Sequence, residues 1–209
     1  MAAPTITDPK LRTGELLLKP TPDGRKRWTR SEVTWMENAG LLTGHYELLN
    51  GEIISKTGQN RPHARAVMKL IAFLLALFGD ERVQTQATME VREDDRPLNR
   101  PEPDVLVLRE GTDRTPIGHE VLLAVEVSDT TQRDDFGPKV GLYARAGVEE
   151  YWVLDLTRRV LVAFRRAEDG EWRERAEFAE GDSAAPLCAP GSLIRVADLL
   201  PEQGEGPSA

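Results

Sequence analysis

The chain has 209 residues, 40% of them hydrophobic and 30% charged, the profile of one globular domain and not of a disordered chain. Its formal net charge of −8 excludes a protein that coats nucleic acid by charge alone, although local contacts stay open. The longest apolar run, Leu70 to Phe78, is about half of a bilayer span, the N-terminal stretch has no signal-peptide core, and the single cysteine, Cys188, excludes an intramolecular disulfide.

These features predict a cytoplasmic protein with no membrane partner, held together by a packed core. Residues 1–26 read as a flexible basic arm: Pro4, Pro9, Pro20 and Pro22 with Gly14 and Gly24 interrupt any regular element. Up to Arg30, seven cations oppose three acids, and from Glu177 onward six acids face one Arg. That polarity either orients a polyanion or serves solubility. Residues 27–200 read as one domain and 201–209 as a Gly, Pro and Glu-rich flexible tail. A homodimer is among the assemblies the sequence allows.

The first regular element opens at Thr29, where Thr-Arg-Ser-Glu makes a capping box with Glu32 and Trp28 can staple onto Val33; a short helix to about Asn38 follows. Tyr46 to Leu49, Asn50-Gly51 and Glu52 to Ser55 predict a hairpin, because Asn-Gly accepts the positive φ values of a type I′ turn. Arg61 to Phe78 predicts a helix that buries Val67, Leu70, Ile71, Leu74, Leu75 and Phe78 and stops at Gly79. Arg82 to Val91 alternates like a strand, and Asp104 to Leu108 and Val121 to Val127 are apolar on both faces, as in the centre of a covered sheet. A helix is expected from about Asp135 to Ala146, with Pro138 in its first turn and Gly147 as its stop. Tyr151 to Leu156 reads as a strand, with Tyr151, Trp152, Leu154 and Phe73 in the core, Glu149 and Glu150 facing solvent, and Asp155 ending the strand or capping the turn after it. Val160 to Arg166 and Glu171 to Phe178 make a second hairpin. The order is helix, three strands, helix, strand, an α/β fold with a mixed sheet and added β-hairpins.

If Asp104 to Leu108 and Val121 to Val127 pair antiparallel, partner numbers sum to about 230 and Asp104 faces Glu126. Directly opposed residues have Cβ atoms ~5 Å apart, and two carboxylates that close in aliphatic strands cannot both stay ionised cheaply. Removing one should then relieve repulsion. A divalent cation resolves the conflict, and Mg²⁺ or Mn²⁺, which accept one or two carboxylates plus water and phosphate oxygens, suit the pair better than any His or Cys set here. Singly, each acid has a plainer reading: Asp104 ends a loop after Pro103, and Glu126 is neutralised by an Arg or lies at a sheet edge.

Pro103-Asp104, Glu126-Val127-Ser128, Lys139 with Tyr143, and Gly147-Val148-Glu149-Glu150-Tyr151-Trp152-Val153-Leu154-Asp155 resemble the Uma-type family of restriction endonucleases. The likeness extends upstream through Tyr46-Glu47-Leu48-Leu49-Asn50-Gly51-Glu52 and His63. It implies the PD-(D/E)XK, restriction-endonuclease-like core, in which a mixed sheet carries two acids and a metal ion activates water against a phosphodiester. By that likeness Asp104 is the Pro-Asp acid and Glu126 the second acid, with the Val127 carbonyl as a further metal ligand. The pattern expects a lysine two residues after the second acid, where this chain has Ser128. Lys139 on the next helix is the candidate replacement, against the alternative of a solvated helix lysine. Tyr143, four residues on, shares its helix face and contacts phosphate or packs. Glu47 either completes a metal shell or holds Lys139 by a salt bridge; His63 is open between capping, hydrogen bonding and catalysis.

The resemblance implies a Mg²⁺- or Mn²⁺-dependent endonuclease acting on DNA. The alternative is a nuclease-like binding or scaffold module without cleavage, which the acidic charge and the missing lysine favour. Neither a helix-turn-helix nor a zinc finger is visible to read a DNA sequence.

Overall fold

The computed structural model describes residues 24–56, 60–129 and 132–202. Most of the expected basic arm, residues 1–23, and residues 203–209 of the tail lie outside the described residues.

Helix α1 (Arg30–Asn38) starts with the expected capping box, both Thr29–Glu32 bonds being made, and Trp28 packs with Val33 in a small cluster that includes Tyr46 and Leu48. Strands β1 (Tyr46–Leu49) and β2 (Glu52–Ser55) form the hairpin, with Asn50 at φ 49° and Gly51 at φ 76°. Side chains alternate along β1, so Tyr46 and Leu48 face α1 while Leu49 joins the opposite cluster. Backbone bonds between Leu48 and Arg100, 3.1 and 2.7 Å, tie the hairpin to the segment leading into Asp104.

Helix α2 (Arg61–Phe78) is capped by the Asn60 side chain and ends at Gly79, φ 76°. It buries Ala66, Val67, Leu70 and Leu74; Ile71 and Phe78 are half-buried, and Leu75, expected inside, is exposed. Phe73, expected in the core, is also only half-buried.

One six-stranded sheet runs in the order β3 (Val83–Thr85), β4 (Val105–Leu108), β5 (Val121–Ser128), β6 (Glu150–Asp155), β7 (Val160–Glu168), β8 (Glu171–Ala179). Only β5 and β6 are parallel, so the sheet is mixed. The short helix α3 (Gln132–Asp135) and α4 (Pro138–Ala146) make the crossover between them. Every residue of β4, β5 and β6 is buried: α2 covers one face through Val105, Val107, Val125, Trp152 and Leu154. The other packs Leu142 and Tyr143 of α4 on Leu106, Ala124, Tyr151 and Val153. Two-residue strands β9 (Ser183–Ala184) and β10 (Ile194–Arg195) and helix α5 (Val196–Leu199) complete the described chain.

Four expectations are corrected. The strand over Arg82 to Val91 shrinks to β3, because opposite its continuation lie Pro101 and Pro103, which lack the N–H a ladder needs; Gln86 turns away at φ 49°. The helix expected from Asp135 is split: Gly137 takes φ −112°, ψ −106°, as the residue before proline is kept out of the helical region, and α4 starts at Pro138. The second hairpin is no appendage, for β7 pairs with β6 over six residues and extends the main sheet. Glu150 is buried, not solvent-facing: its Oε1 accepts from Trp152 Nε1 at 2.7 Å and Arg165 Nε at 2.6 Å, and its Oε2 from the Leu187 N–H at 2.6 Å.

Gly51 sets the hairpin's approach. A Cβ there would lie 2.8 Å from Arg27 Cβ and 3.1 Å from the Trp28 nitrogen, on a backbone at φ +76°. Gly51→Ala should therefore lower stability by roughly 1–3 kcal/mol, whereas Asn50→Gly, which keeps both positive φ values, should stay within about 1 kcal/mol; urea denaturation of the two variants checks this.

Candidate active site

Asp104 stands immediately before β4, and Glu126 lies within β5. Val105 pairs with Val125, Leu106 with Ala124 and Val107 with Leu123, the register that sets Asp104 opposite Glu126. Both carboxylates project on the α4 side of the sheet, with Leu106 and Ala124. Each residue is only 2% exposed. The Val127 N–H donates to Asp104 Oδ2 at 2.9 Å and fixes that carboxylate to the neighbouring strand.

Two lysines serve this pair. Lys56, just beyond β2, donates from Nζ to the Glu102 carbonyl at 2.6 Å and to Asp104 Oδ1 at 3.2 Å, and lies 3.8 Å from Glu126 Oε2. Lys139, one residue into α4, reaches Glu47 Oε1 at 2.8 Å, Glu126 Oε1 at 3.0 Å and Asp135 Oδ1 at 3.1 Å. Tyr143, one turn further along α4, donates its hydroxyl to Glu126 Oε1 at 2.9 Å. Glu47 also accepts from the Glu102 N–H at 3.3 Å. On the other side, His63 Nε2 lies 3.3 Å from Asp104 Oδ2, in the first turn of α2. The capping role there belongs to Asn60, whose Oδ1 accepts from the His63 N–H at 3.0 Å. His63 Nδ1 and Ser128 Oγ are buried without a hydrogen-bond partner among the described residues.

The two acids are driven in opposite directions. Burial would raise Asp104, but the His63 hydrogen bond, the Lys56 and His63 charges and the Val127 N–H outweigh it, holding its carboxyl well below the usual range. For Glu126 burial prevails over Lys139 and Lys56 and is reinforced by Asp104 and Asp135, pushing its pKa up to about 8. Desolvation works against the Lys56 charge, yet Glu126 and Asp104 raise its pKa to about 12. Burial likewise opposes the Lys139 charge, and Glu126, Glu47 and Asp135 hold its pKa well above the ordinary value. Asp104 is thus the ionised member of the pair and Glu126 the one with proton affinity near neutrality, the separation that gives neighbouring carboxyls distinct roles.

Of the residues singled out from the sequence, Asp104, Glu126, Lys139, Glu47, His63 and Tyr143 meet in one cluster, with the Val127 amide at its edge. Lys139 is not a solvated helix lysine, being 2% exposed, and Glu47 is engaged with it. Ser128 is buried at the end of β5 but bonds to none of them. Lys56 and Asp135 went unremarked in the sequence. Asp135 had a signal, an acid four residues before Lys139; Lys56 had none, since only the docking of the hairpin on the sheet carries it to the acids. The expectation that removing one acid relieves repulsion has a counterweight: Asp104 does raise the proton affinity of Glu126, but each acid also faces a buried ammonium. Loss of Glu126 would take one of three carboxylates from Lys139, and loss of Asp104 would leave Lys56 only the longer carboxylate contact, to Glu126 at 3.8 Å.

Asp104 Oδ1 and Glu126 Oε2 are hard oxygen donors that share one cation, the Lys56 ammonium, and donors of that kind fit a divalent metal ion. Among the described residues, no group of three or more His, Cys, Asp or Glu side chains is arranged to hold a metal ion.

The model of the Uma2 family, described as "Putative restriction endonuclease", matches residues 41–197, well over half of the chain. The chain belongs to the Uma2 family. The span matched includes Glu47, His63, Asp104, Glu126 and Lys139. The fold is similar to the crystal structure of a protein from Anabaena variabilis described as a "putative nuclease belonging to DUF820", with TM-score 0.60 and 15% identity over 78% of this chain and 96% of that one. At that identity the likeness is one of fold. Comparison with curated proteins gives no match. No helix among the described residues of this Uma2 protein is long and apolar enough to cross a membrane.

Lys139 is the counter-ion of three buried carboxylates, so Lys139→Met should destabilise the protein by about 3–5 kcal/mol near neutral pH. Glu126 already binds its proton more tightly in the folded state because of burial, and Lys139 is the largest influence that opposes this; without the ammonium Glu126 binds the proton more tightly still. The stability such a raised group contributes is complete below the ordinary glutamate value of 4.5 and is lost as pH rises through its folded pKa, about 8 for Glu126 in the wild type and higher without Lys139. Urea denaturation across that range should show the gap between wild type and variant widening with pH.

Proposed function

We propose that this protein is a Mg²⁺- or Mn²⁺-dependent endonuclease that hydrolyses phosphodiester bonds in DNA. The observation that carries the reading is the opposed pair itself, two buried carboxylates of separated proton affinity that share a single cation. Membership of a family whose description reads "Putative restriction endonuclease" supports it.

Asp104 and Glu126 would hold the metal ion, with the Val127 carbonyl as a third ligand. When bound, such an ion polarises the scissile phosphate and lowers the pKa of a water. The protein's own groups set the charge and position of those ligands. His63 and the Val127 N–H orient Asp104 and keep it ionised. The Tyr143 hydroxyl and Lys139 fix Glu126 Oε1. Glu47 and Asp135 hold the Lys139 ammonium at the cluster, where its charge offsets the negative charge that develops on the phosphate. Burial of the whole set limits water and strengthens each of these interactions.

One observation favours a second reading. Both acids are already matched by buried lysines, as in a nuclease-like module that binds or scaffolds and does not cleave. Plasmid nicking by purified protein decides between them. The endonuclease reading predicts nicking with Mg²⁺ or Mn²⁺, none after chelation, none in Asp104→Asn or Glu126→Gln, and a loss of about 10²–10³ in rate in Lys139→Ala. Equal activity in wild type and Asp104→Asn would reveal a contaminant. No cleavage of single-stranded, double-stranded or branched DNA with either metal would establish the scaffold.

A further inference from the structure

We propose that Lys56 is an exchangeable resident cation: its ammonium holds the Asp104–Glu126 pair together until a divalent metal ion enters, and then leaves the pair. The inference deepens the metal-dependent reading above and rests on it.

The two lysines of the cluster are built differently. Lys139 is enclosed by three carboxylates on a side chain 2% exposed, and its departure would strand them. Lys56 has a side chain 12% exposed against 3% for Asp104 and 2% for Glu126, so it stands between the acids and solvent. Its contacts are Asp104 Oδ1, Glu126 Oε2 and one carbonyl, that of Glu102. Those two carboxylates are the side chains that would hold the metal ion.

The two cations exclude each other. Metal–oxygen distances for Mg²⁺ are ~2.0–2.1 Å, well inside the 3.2 Å between Lys56 Nζ and Asp104 Oδ1. An ammonium left in place would face a doubly charged ion at short range. The backbone need not move: the Lys56 N–H is held by the His45 carbonyl at 2.9 Å, and a flexible four-carbon stem can swing the ammonium outward. Lys56 thereby keeps the opposed acids from repelling each other in the metal-free protein and sets a threshold that weak or scarce cations do not pass. Linkage makes the effect reciprocal, since whatever Lys56 contributes to the metal-free site is subtracted from metal affinity.

The test is Mn²⁺ titration by calorimetry of wild type, Lys56→Met and Lys56→Gln, joined to acylation of wild-type lysines with limiting acetic anhydride, read by mass spectrometry with and without Mn²⁺. Exchange predicts Mn²⁺ binding at least about tenfold tighter in both variants, and a several-fold rise in Lys56 acylation on adding Mn²⁺ while Lys139 stays unreactive. The labelling needs no variant and so survives a folding defect in either one. Wild-type Mn²⁺ binding with unchanged or weaker binding in the variants, or with Lys56 acylation unchanged or lowered, overturns the exchange and leaves the metal site standing. Absence of Mn²⁺ binding in wild type and variants alike overturns the metal reading, and the exchange with it.

Discussion

Two carboxylates facing each other from neighbouring strands of a covered sheet cannot be left alone. Asp104 and Glu126 sit where water cannot solvate them, and an unpaired buried charge is among the costliest features a fold can carry. The elements around the central strands can be read as answers to that constraint. The hairpin supplies Lys56 and Glu47, the first turn of α2 supplies His63, and α4 supplies Lys139 and Tyr143. Carboxylates still outnumber ammoniums in the cluster, and the proton affinity of Glu126 is raised first by its burial and then by the neighbouring Asp104 and Asp135 charges.

The topology makes this assembly possible. The one parallel pair of the sheet, β5 with β6, requires a crossover, and α3 and α4 in that crossover cover the sheet face on which the acids project. The small hairpin belongs to no large sheet, yet it reaches the site because Leu48 and Arg100 exchange backbone bonds just upstream of Asp104. Alternation along β1 then does two jobs at once: Leu48 closes the cluster under α1 while Glu47 turns to Lys139. A change that detaches the hairpin would cost the site a base and an acid together.

Much of this was legible in the sequence, for reasons that are local. The Thr29–Glu32 capping box, the Asn50-Gly51 turn and the limits of α2 at Arg61 and Phe78 follow from backbone chemistry within a few residues. The register that opposes Asp104 and Glu126 could be read because the two apolar runs are consecutive and pair antiparallel; the pairing holds from Val105–Val125 to Val107–Leu123, and its irregularity falls at Leu108, away from the acids. What escaped was non-local. Lys56 lies between Ser55 and Thr57 and Glu150 follows a second acid, Glu149, and only tertiary packing buries them against charges. The strand expected beyond Thr85 failed because its partner segment holds two prolines, a property of the partner and not of the strand.

We propose a cation site at the Asp104–Glu126 pair, in which a metal ion and Lys56 compete. Anomalous diffraction from a crystal soaked in Mn²⁺ tests it most directly. Competition between the two cations predicts one manganese peak at the Asp104–Glu126 pair, with the Lys56 ammonium withdrawn from both carboxylates and Lys139 unmoved. A crystal with no peak at the pair, or one with manganese bound elsewhere and Lys56 still between the two carboxylates, would contradict it.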